Sequence, residues 1–341
     1  MHLNLNPRPA LIRSKSHVGV RSKTGTLPLR IGTRASPLAL VQTRAFIGAL
    51  SGLCPVLRGL QAFEEHPIRT TGDATQASGQ KLADLGGKGL FAKEIHEALL
   101  DQRIDLAVHS LKDLETTLPP GVVLACTLKR EDARDALILG AKCLDMDVAE
   151  PWAALRKNAV IGSASVRRQA QILHARPDLQ VVTLRGNVQR RLDVVEQGGC
   201  AATLLALAGL RRLGIEVRES CMLDPEIMVP AAGQGIVGIT VRADDDELQE
   251  LLAAIEDPEA KTVSTAERAL LAALDGSCRT PIGGYGRVLP GGQLHVTGLV
   301  ARADGSFLLK GWRRGAATDA ARLGAELGAS LRADSPSDIF V

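Results

Sequence analysis

Aromatic side chains are nearly missing from this chain of 341 residues, which has five Phe, two Trp and one Tyr. A core must therefore rest on Leu, Val, Ile and Ala, and modules that stack nucleobases on aromatic rings are disfavoured. No CxxC pair occurs. The six cysteines (Cys54, Cys126, Cys143, Cys200, Cys221, Cys278) and the seven histidines are scattered, so neither a disulfide framework nor a metal site suggests itself. A reducing compartment is the natural reading. No uncharged run reaches the roughly 18 residues a membrane span needs. Strong net charge is also lacking. Residues 1–28 hold Arg8, Arg13, Lys15, Arg21 and Lys23 and no acid, and removing these five from the chain's +3 leaves a body at −2. A globally basic surface for nucleic acid is therefore not expected.

What is present is ordinary for a soluble globular protein: 45 % hydrophobic and 23 % charged residues, and enough length for two or three domains. The acid-free stretch 1–28 reads as a disordered tail, a mis-assigned start or a targeting segment. From residue 29 the pattern is strand, turn, helix. LRIGT (29–33) reads as a strand, Ser36 as a helix cap and Pro37 as the first helical position. The Gly-rich stretch 70–89 reads as a mobile loop, FAKEIHEALLDQR (91–103) as a helix, and DLAVHSL (105–111) and GVVLACTL (121–128) as strands. A second block has strand-like runs at 135–139, 159–165, 180–186 and 200–206, each followed by a helical pattern. Such alternation predicts parallel sheets covered by helices, with ligands at the carboxyl ends of strands. The stretch 228–242 reads as a linker crossing back to the first sheet, and a third unit starts near 258 with a helix over 262–274 and a strand around 294–301.

Three strand-to-helix junctions carry arginine with Ser or Asn: TRASP with Arg34 and Ser36, GSASVRRQ with Ser163, Ser165, Arg167 and Arg168, and LRGNVQRRL with Arg185, Asn187, Arg190 and Arg191. Helix N-termini already favour anions, and arginine adds a planar fork that pairs with carboxylate or phosphate. Basic residues there oppose the macrodipole, and local rules are broken most often at functional sites. The bland alternative is solvated surface. HSLKD (109–113) ends an apolar strand, where Asp113 can stabilise a developing cation or transfer protons, or simply cap a turn. In DGSCRTPIG (275–283), Cys278 sits in a turn-forming context, as a nucleophile, an attachment point or a plain loop residue. Two motif matches fail on context. GQGIVG (233–238) precedes a strand instead of opening a helix, and GGKG (86–89) lacks the Walker spacing.

Taken in order, LRIGTRASPLAL, TTGD, GGKGLFAKEI, DLAVHSLKD, REDARDALI, SVRRQAQ, LRGNV, LALAGLRRLG, PAAGQGIVGI and GSCRTPIGG resemble the porphobilinogen deaminase (hydroxymethylbilane synthase) family, from about residue 29 to near 300. The resemblance implies an α/β fold of two periplasmic-binding-protein-like doubly wound lobes plus a small α+β third domain. Its units would be 29–130 with 231–253, 131–230, and 256–341. It implies a dipyrromethane cofactor joined by a thioether to Cys278, and condensation of four porphobilinogen molecules, each losing ammonia, to linear hydroxymethylbilane. Asp113 matches the catalytic aspartate, which stabilises the positively charged azafulvene and pyrrole nitrogens. Lys112, Asp113, Ser165, Arg167 and Arg168 match cofactor-binding positions. Arg34, Ser36, Arg185, Arg191 and Arg212 match positions that hold substrate carboxylates, and Asp73 and Lys88 an active-site loop. No metal is implied. Family members work as monomers that pass product to the next enzyme, in a bacterial cytoplasm or, if 1–28 is a transit peptide, in a plastid. Ser163, Ala164, Glu115, Ala201 and Ser277 depart from the family's usual residues. A competing reading is a non-catalytic anion-binding protein with periplasmic-binding-like lobes. It explains the arginines and the return linker, but not Cys278 or Asp113.

Overall fold

The computed structural model describes residues 27–53, 55–73, 89–140, 152–217, 221–275 and 280–340. The segment 1–26, Lys88 and Cys278 lie outside the described residues. Strand β1 (Leu29–Arg34) runs into helix α1 (Pro37–Leu53), followed by a single-turn helix α2 (Val56–Gly59), β2 (Phe63–Ile68), α3 (Lys93–Leu100), β3 (Leu106–Ser110) and β4 (Val122–Thr127). As its sequence implies, α1 starts on Ser36, whose Oγ accepts the Ala39 N–H at 3.3 Å, with Pro37 at the first position, where no amide partner is needed. The second block contains β5 (Asp135–Leu139), β6 (Val160–Gly162), α4 (Val166–Ala175), β7 (Gln180–Val182), α5 (Val188–Glu196), β8 (Ala202–Ala206) and α6 (Leu207–Arg212). The chain then returns through β9 (Val237–Arg242) and α7 (Asp246–Ala253). The last part comprises α8 (Pro258–Ala273), β10 (Ile282–Leu289), β11 (Gln293–Ala301), β12 (Leu308–Ala316) and α9 (Ala320–Ala333).

The first sheet has the order β2-β1-β3-β9-β4 and the second β5-β8-β6-β7. The expectation of parallel sheets holds for β1 with β2 and β3, and for β6 with β7 and β8. It fails for β9, antiparallel to both β3 and β4, and for β5, antiparallel to β8. The reason is topological. These two strands are fed by chain crossing between lobes, so neither closes a strand-helix-strand unit within its own sheet and the parallel, right-handed rule does not bind it. Every residue of β9 is buried, as a strand between two partners and under helices requires. The third unit is an antiparallel sheet β10-β11-β12 against α8 and α9. The fold class is the expected one, two doubly wound lobes and a small α+β unit.

The core is aliphatic, as the scarcity of rings demands. Ile31, Phe46, Leu50, Leu106 and Ile239 fill the first lobe, and Leu137, Ile161, Ile172 and Leu204 the second. Each fully buried side chain of this size contributes about 2 kcal/mol. A further cluster joins Leu270, Val296 and Leu327 of the third unit to Leu111 and Ile236 of the first lobe. Thus the turn after β3 is packed from behind by another unit. Among the described residues no helix is long and apolar enough to cross a membrane.

Candidate active site

The apolar strand β3 ends in a single tight turn, Leu111–Asp113. Leu111 is buried and its N–H donates to the Ile236 carbonyl, so the two following side chains are aimed by an anchored backbone. The glycines of the rejected nucleotide motif have a steric purpose here. Gly233 has φ +74 and a Cβ there would lie 3.0 Å from Leu111 Cγ and 3.1 Å from the Lys112 nitrogen; at Gly235, φ +89, it would lie 2.3 Å from the Glu131 carbonyl. The return crossover can touch both the Lys112–Asp113 turn and the outgoing crossover only because these positions lack side chains.

Arg34, last residue of β1, reaches two carboxylates. Its Nη2 lies 2.5 Å from Asp73 Oδ1 and its Nη1 3.5 Å from Asp113 Oδ2, while the guanidinium sits 4.3 Å from the Phe91 ring centre. Burial pulls its pKa down, but Asp73 and Asp113 overcome this and hold it above the ordinary value. Burial pushes Asp73 up, yet the bond from Arg34 and the hydroxyl of Thr70, donating at 2.8 Å, keep it below the usual carboxylate range. Of the two predicted loop residues, Asp73 is therefore in the site and Lys88 lies outside the described residues.

Lys112 is partly buried, with Nζ 3.2 Å from Gln234 Oε1. Burial brings its pKa down to about 8, with Arg168 and Arg167 pushing the same way and Asp113 and Asp135 opposing. On the facing lobe, Ser165 caps α4 and Asn187 caps α5, as the junction motifs suggest. Arg167 and Arg168 do not project freely from α4: they are 5 % and 6 % exposed and converge on one buried acid. Arg167 Nη2 and Arg168 Nη2 each lie 2.8 Å from Asp135, and their Nη1 atoms donate to the Val229 and Leu204 carbonyls. Burial raises the Asp135 pKa, but the two arginines outweigh it and hold the carboxylate ionised far below its usual range. Asp135 thus neutralises part of the charge that sits against the α4 dipole. Ser163 spends its Oγ on the Ser165 amide at 3.2 Å.

The remaining arginines are less satisfied. Arg185 Nε and Nη1, and Arg168 Nε, are buried with no acceptor among the described residues. Arg191 donates from Nε to Gly186 O at 3.0 Å; burial, Arg168 and Arg185 press its pKa down to about 10 against the pull of Asp113. Arg212 donates to Gly235 O at 2.7 Å, and its pKa is lowered by burial. Lys112, Arg212, Ser110 and Gln42 line a small cavity of about 30 Å³ between the lobes, and Ser110 Oγ donates to Gln42 Oε1 at 2.9 Å. The site is a basic cleft around Asp113 with hydrogen-bond donors to spare. Such a donor set suits a ligand carrying several carboxylates.

Sequence reasoning missed Asp135, Gln234, Gln42 and Ser110. Asp135 has a readable signal, an acid opening the apolar strand DALIL; Gln234 was hidden inside a glycine motif considered only for nucleotides.

Comparison with known proteins fits this geometry. Residues 29–250 match the model of the porphobilinogen deaminase, dipyromethane cofactor binding domain, and residues 261–333 that of the porphobilinogen deaminase C-terminal domain. The chain belongs to the porphobilinogen deaminase family. Over 319 residues it is 46 % identical to the porphobilinogen deaminase of Paracoccus denitrificans (strain Pd 1222), covering 92 % of this chain and 96 % of that one. It is 45 % identical to the enzyme of Sorangium cellulosum (strain So ce56), covering 89 % and 98 %. The chloroplastic porphobilinogen deaminase of Oryza sativa subsp. japonica is 43 % identical, covering 89 % and 82 %. Within this family the cofactor is dipyrromethane, and the crowd of cations with unpaired Arg185 nitrogens fits its carboxylates.

Proposed function

We propose that this chain joins four porphobilinogen molecules head to tail, releasing one ammonia at each joining, and that water then cleaves the four-unit chain from its primer as hydroxymethylbilane. The observation that carries the reading is Asp113 as the acid at the mouth of a cleft where Arg34, Lys112, Arg168, Arg185 and Arg191 outnumber it. Porphobilinogen carries an acetate and a propionate, so a growing chain brings many carboxylates into the cleft, where Arg185, with Nε and Nη1 unpaired, can take one through two hydrogen bonds and the other cations attract the rest. The dipyrromethane, attached at Cys278, supplies the pyrrole carbon to which the first substrate is joined. As the C–N bond of a substrate breaks and ammonia leaves, positive charge spreads into the ring; Asp113 offsets that charge and holds the pyrrole N–H. Once the new C–C bond has formed, the pyrrole carbon must lose its proton, which Asp113 would accept.

In this reading Lys112, Ser165, Arg167 and Arg168 serve the cofactor side, and Arg34, Ser36, Arg185, Arg191 and Arg212 the incoming substrate. Asp73 and Lys88 belong to a loop over the cleft. Because Arg167 and Arg168 are already engaged with Asp135, they act by their field and by Arg168 Nε instead of by free forks. The units 29–130 with 231–253, 131–230 and 256–341 work as one monomer that passes its linear product to the next enzyme. Bacterial relatives favour a bacterial cytoplasm as the setting, and chloroplastic ones make a plastid the alternative.

Intact-mass measurement of the purified protein tests the cofactor: the chain should carry two linked pyrrole units, lost in Cys278→Ala. The bare chain mass from cells supplied with porphobilinogen would leave the anion-binding alternative standing. Asp113→Asn should fold normally and release ammonia at least 100-fold more slowly; near-normal release would remove Asp113 from its role.

A further inference from the structure

Gln234 lies on the return crossover and is fully buried. Its amide nitrogen donates to two acceptors, Ala133 O at 2.7 Å and Asp135 Oδ1 at 2.8 Å, and its Oε1 accepts from Lys112 Nζ at 3.2 Å. This amide has one workable orientation. Rotating it by half a turn would set NH2 against an ammonium, and an oxygen against a carboxylate and a carbonyl. The backbone beneath is fixed as firmly. The Gln234 carbonyl accepts from Arg130 Nε at 3.0 Å, and the glycines on both sides hold positive φ.

We propose that Gln234 is a positioning residue that sets both halves of the cationic cleft at once: Lys112 beside Asp113 on one lobe, and Asp135 with its two arginines on the other. The proposal rests on the deaminase reading for its consequence in turnover, though not for the contact itself. The chemistry narrows the choice of side chain. The position must accept from a cation and donate to a carboxylate in the same buried place. A Glu would face Asp135 with like charge, a Lys would face Lys112, and a Met of similar size would leave Lys112 and Asp135 each short of a partner. Lys112 gains from the acceptor because burial penalises its charge and Arg168 and Arg167 repel it, against the pull of Asp113 and Asp135.

The test uses the full holoprotein with lysines carbon-13 labelled at Cε, the Lys112 signal being assigned by its loss in Lys112→Arg. In Gln234→Met the Lys112 titration should move down by about one pH unit, the worth of a hydrogen bond to a charged group. The alkaline limb of kcat/KM should fall by the same amount. Gln234→Glu should move the titration upward, since a carboxylate then sits beside the ammonium, and should raise KM by loosening Asp135 from Arg167 and Arg168. A purely structural glutamine would lower the melting temperature in both variants and leave the Lys112 titration and the alkaline limb where they are; that result overturns the proposal. If Gln234→Met fails to fold, an unmoved titration in Gln234→Glu overturns it equally. Absence of hydroxymethylbilane from the unaltered protein would sink the deaminase reading instead, and the titration would still judge the contact.

Discussion

Buried ionisable side chains in this protein divide into those held charged by partners and those held neutral by burial, and His109 is the clearest of the second kind. It stands on β3 four residues before Asp113, 7 % exposed, with Nε2 2.9 Å from Thr240 Oγ1. Burial drives its pKa down to about 3, with His96, 5.6 Å away ring to ring, and Arg34 adding repulsion. His96 is lowered by burial as well, and its Nε2 has no partner among the described residues. An unfolded histidine titrates near 6.5, so between that pH and about 3 the unfolded chain binds a proton the native state refuses. Stability therefore falls as pH drops through this window. Urea midpoints from pH 7 to 4.5 should decline in the parent, and His109→Gln, which can still bond Thr240, should flatten the slope by up to about 1.4 kcal/mol per pH unit. An unchanged slope would mean that His109 is not the group that resists protonation. None of this is legible in the sequence, where HSLKD marks Asp113 but says nothing of the histidine above it.

At the level of elements, strand starts and helix starts were legible because they rest on neighbours in the chain: Ser36 with Pro37, Ser165, Asn187. Pairing across elements was not. The arginines of the SVRRQ junction look like free anion hooks until β5 is set opposite them and Asp135 enters between. The same blindness makes β5 look parallel, since direction depends on which lobe a strand arrives from. Asp135 thus ties the first residue of β5 to the first turn of α4, with Gln234 as the third partner. Removing its charge leaves two buried guanidiniums facing an amide. Asp135→Asn should cost about 3–5 kcal/mol, read as a lowered urea midpoint. A loss below about 1 kcal/mol would mean that water or rearrangement supplies the missing charge, and that the bridge does not hold β5 to α4.

Across the whole molecule, the third unit grips both connections between the lobes at one carboxylate. Glu267, on α8 and fully buried, lies 2.6 Å from Arg130 Nη1 of the outgoing crossover. It also accepts from the Gly233 N–H of the return crossover and from the Gly286 N–H of β10, each at 2.6 Å. Arg130 further donates to Gly286 O at 3.2 Å and lies 5.0 Å from the Tyr285 ring centre. The connections between lobes are thus clamped by the third unit, and the clamp holds the same crossover that carries Gln234. The sequence shows Glu267 only as one polar residue in a helix, because its meaning lies in three segments far apart along the chain. Glu267→Gln keeps the shape, yet leaves the largely covered Arg130 without its counter-charge, at a cost of about 3 kcal/mol. The loss falls on the interface between units, so it should appear as lost cooperativity besides a lower midpoint. Scanning calorimetry of the parent should give one transition, and the variant a broadened or divided one with the third unit melting first. A single sharp transition merely shifted to lower temperature would show instead that the aliphatic contacts of Leu270 and Val296 with Leu111 and Ile236 couple the units without the clamp.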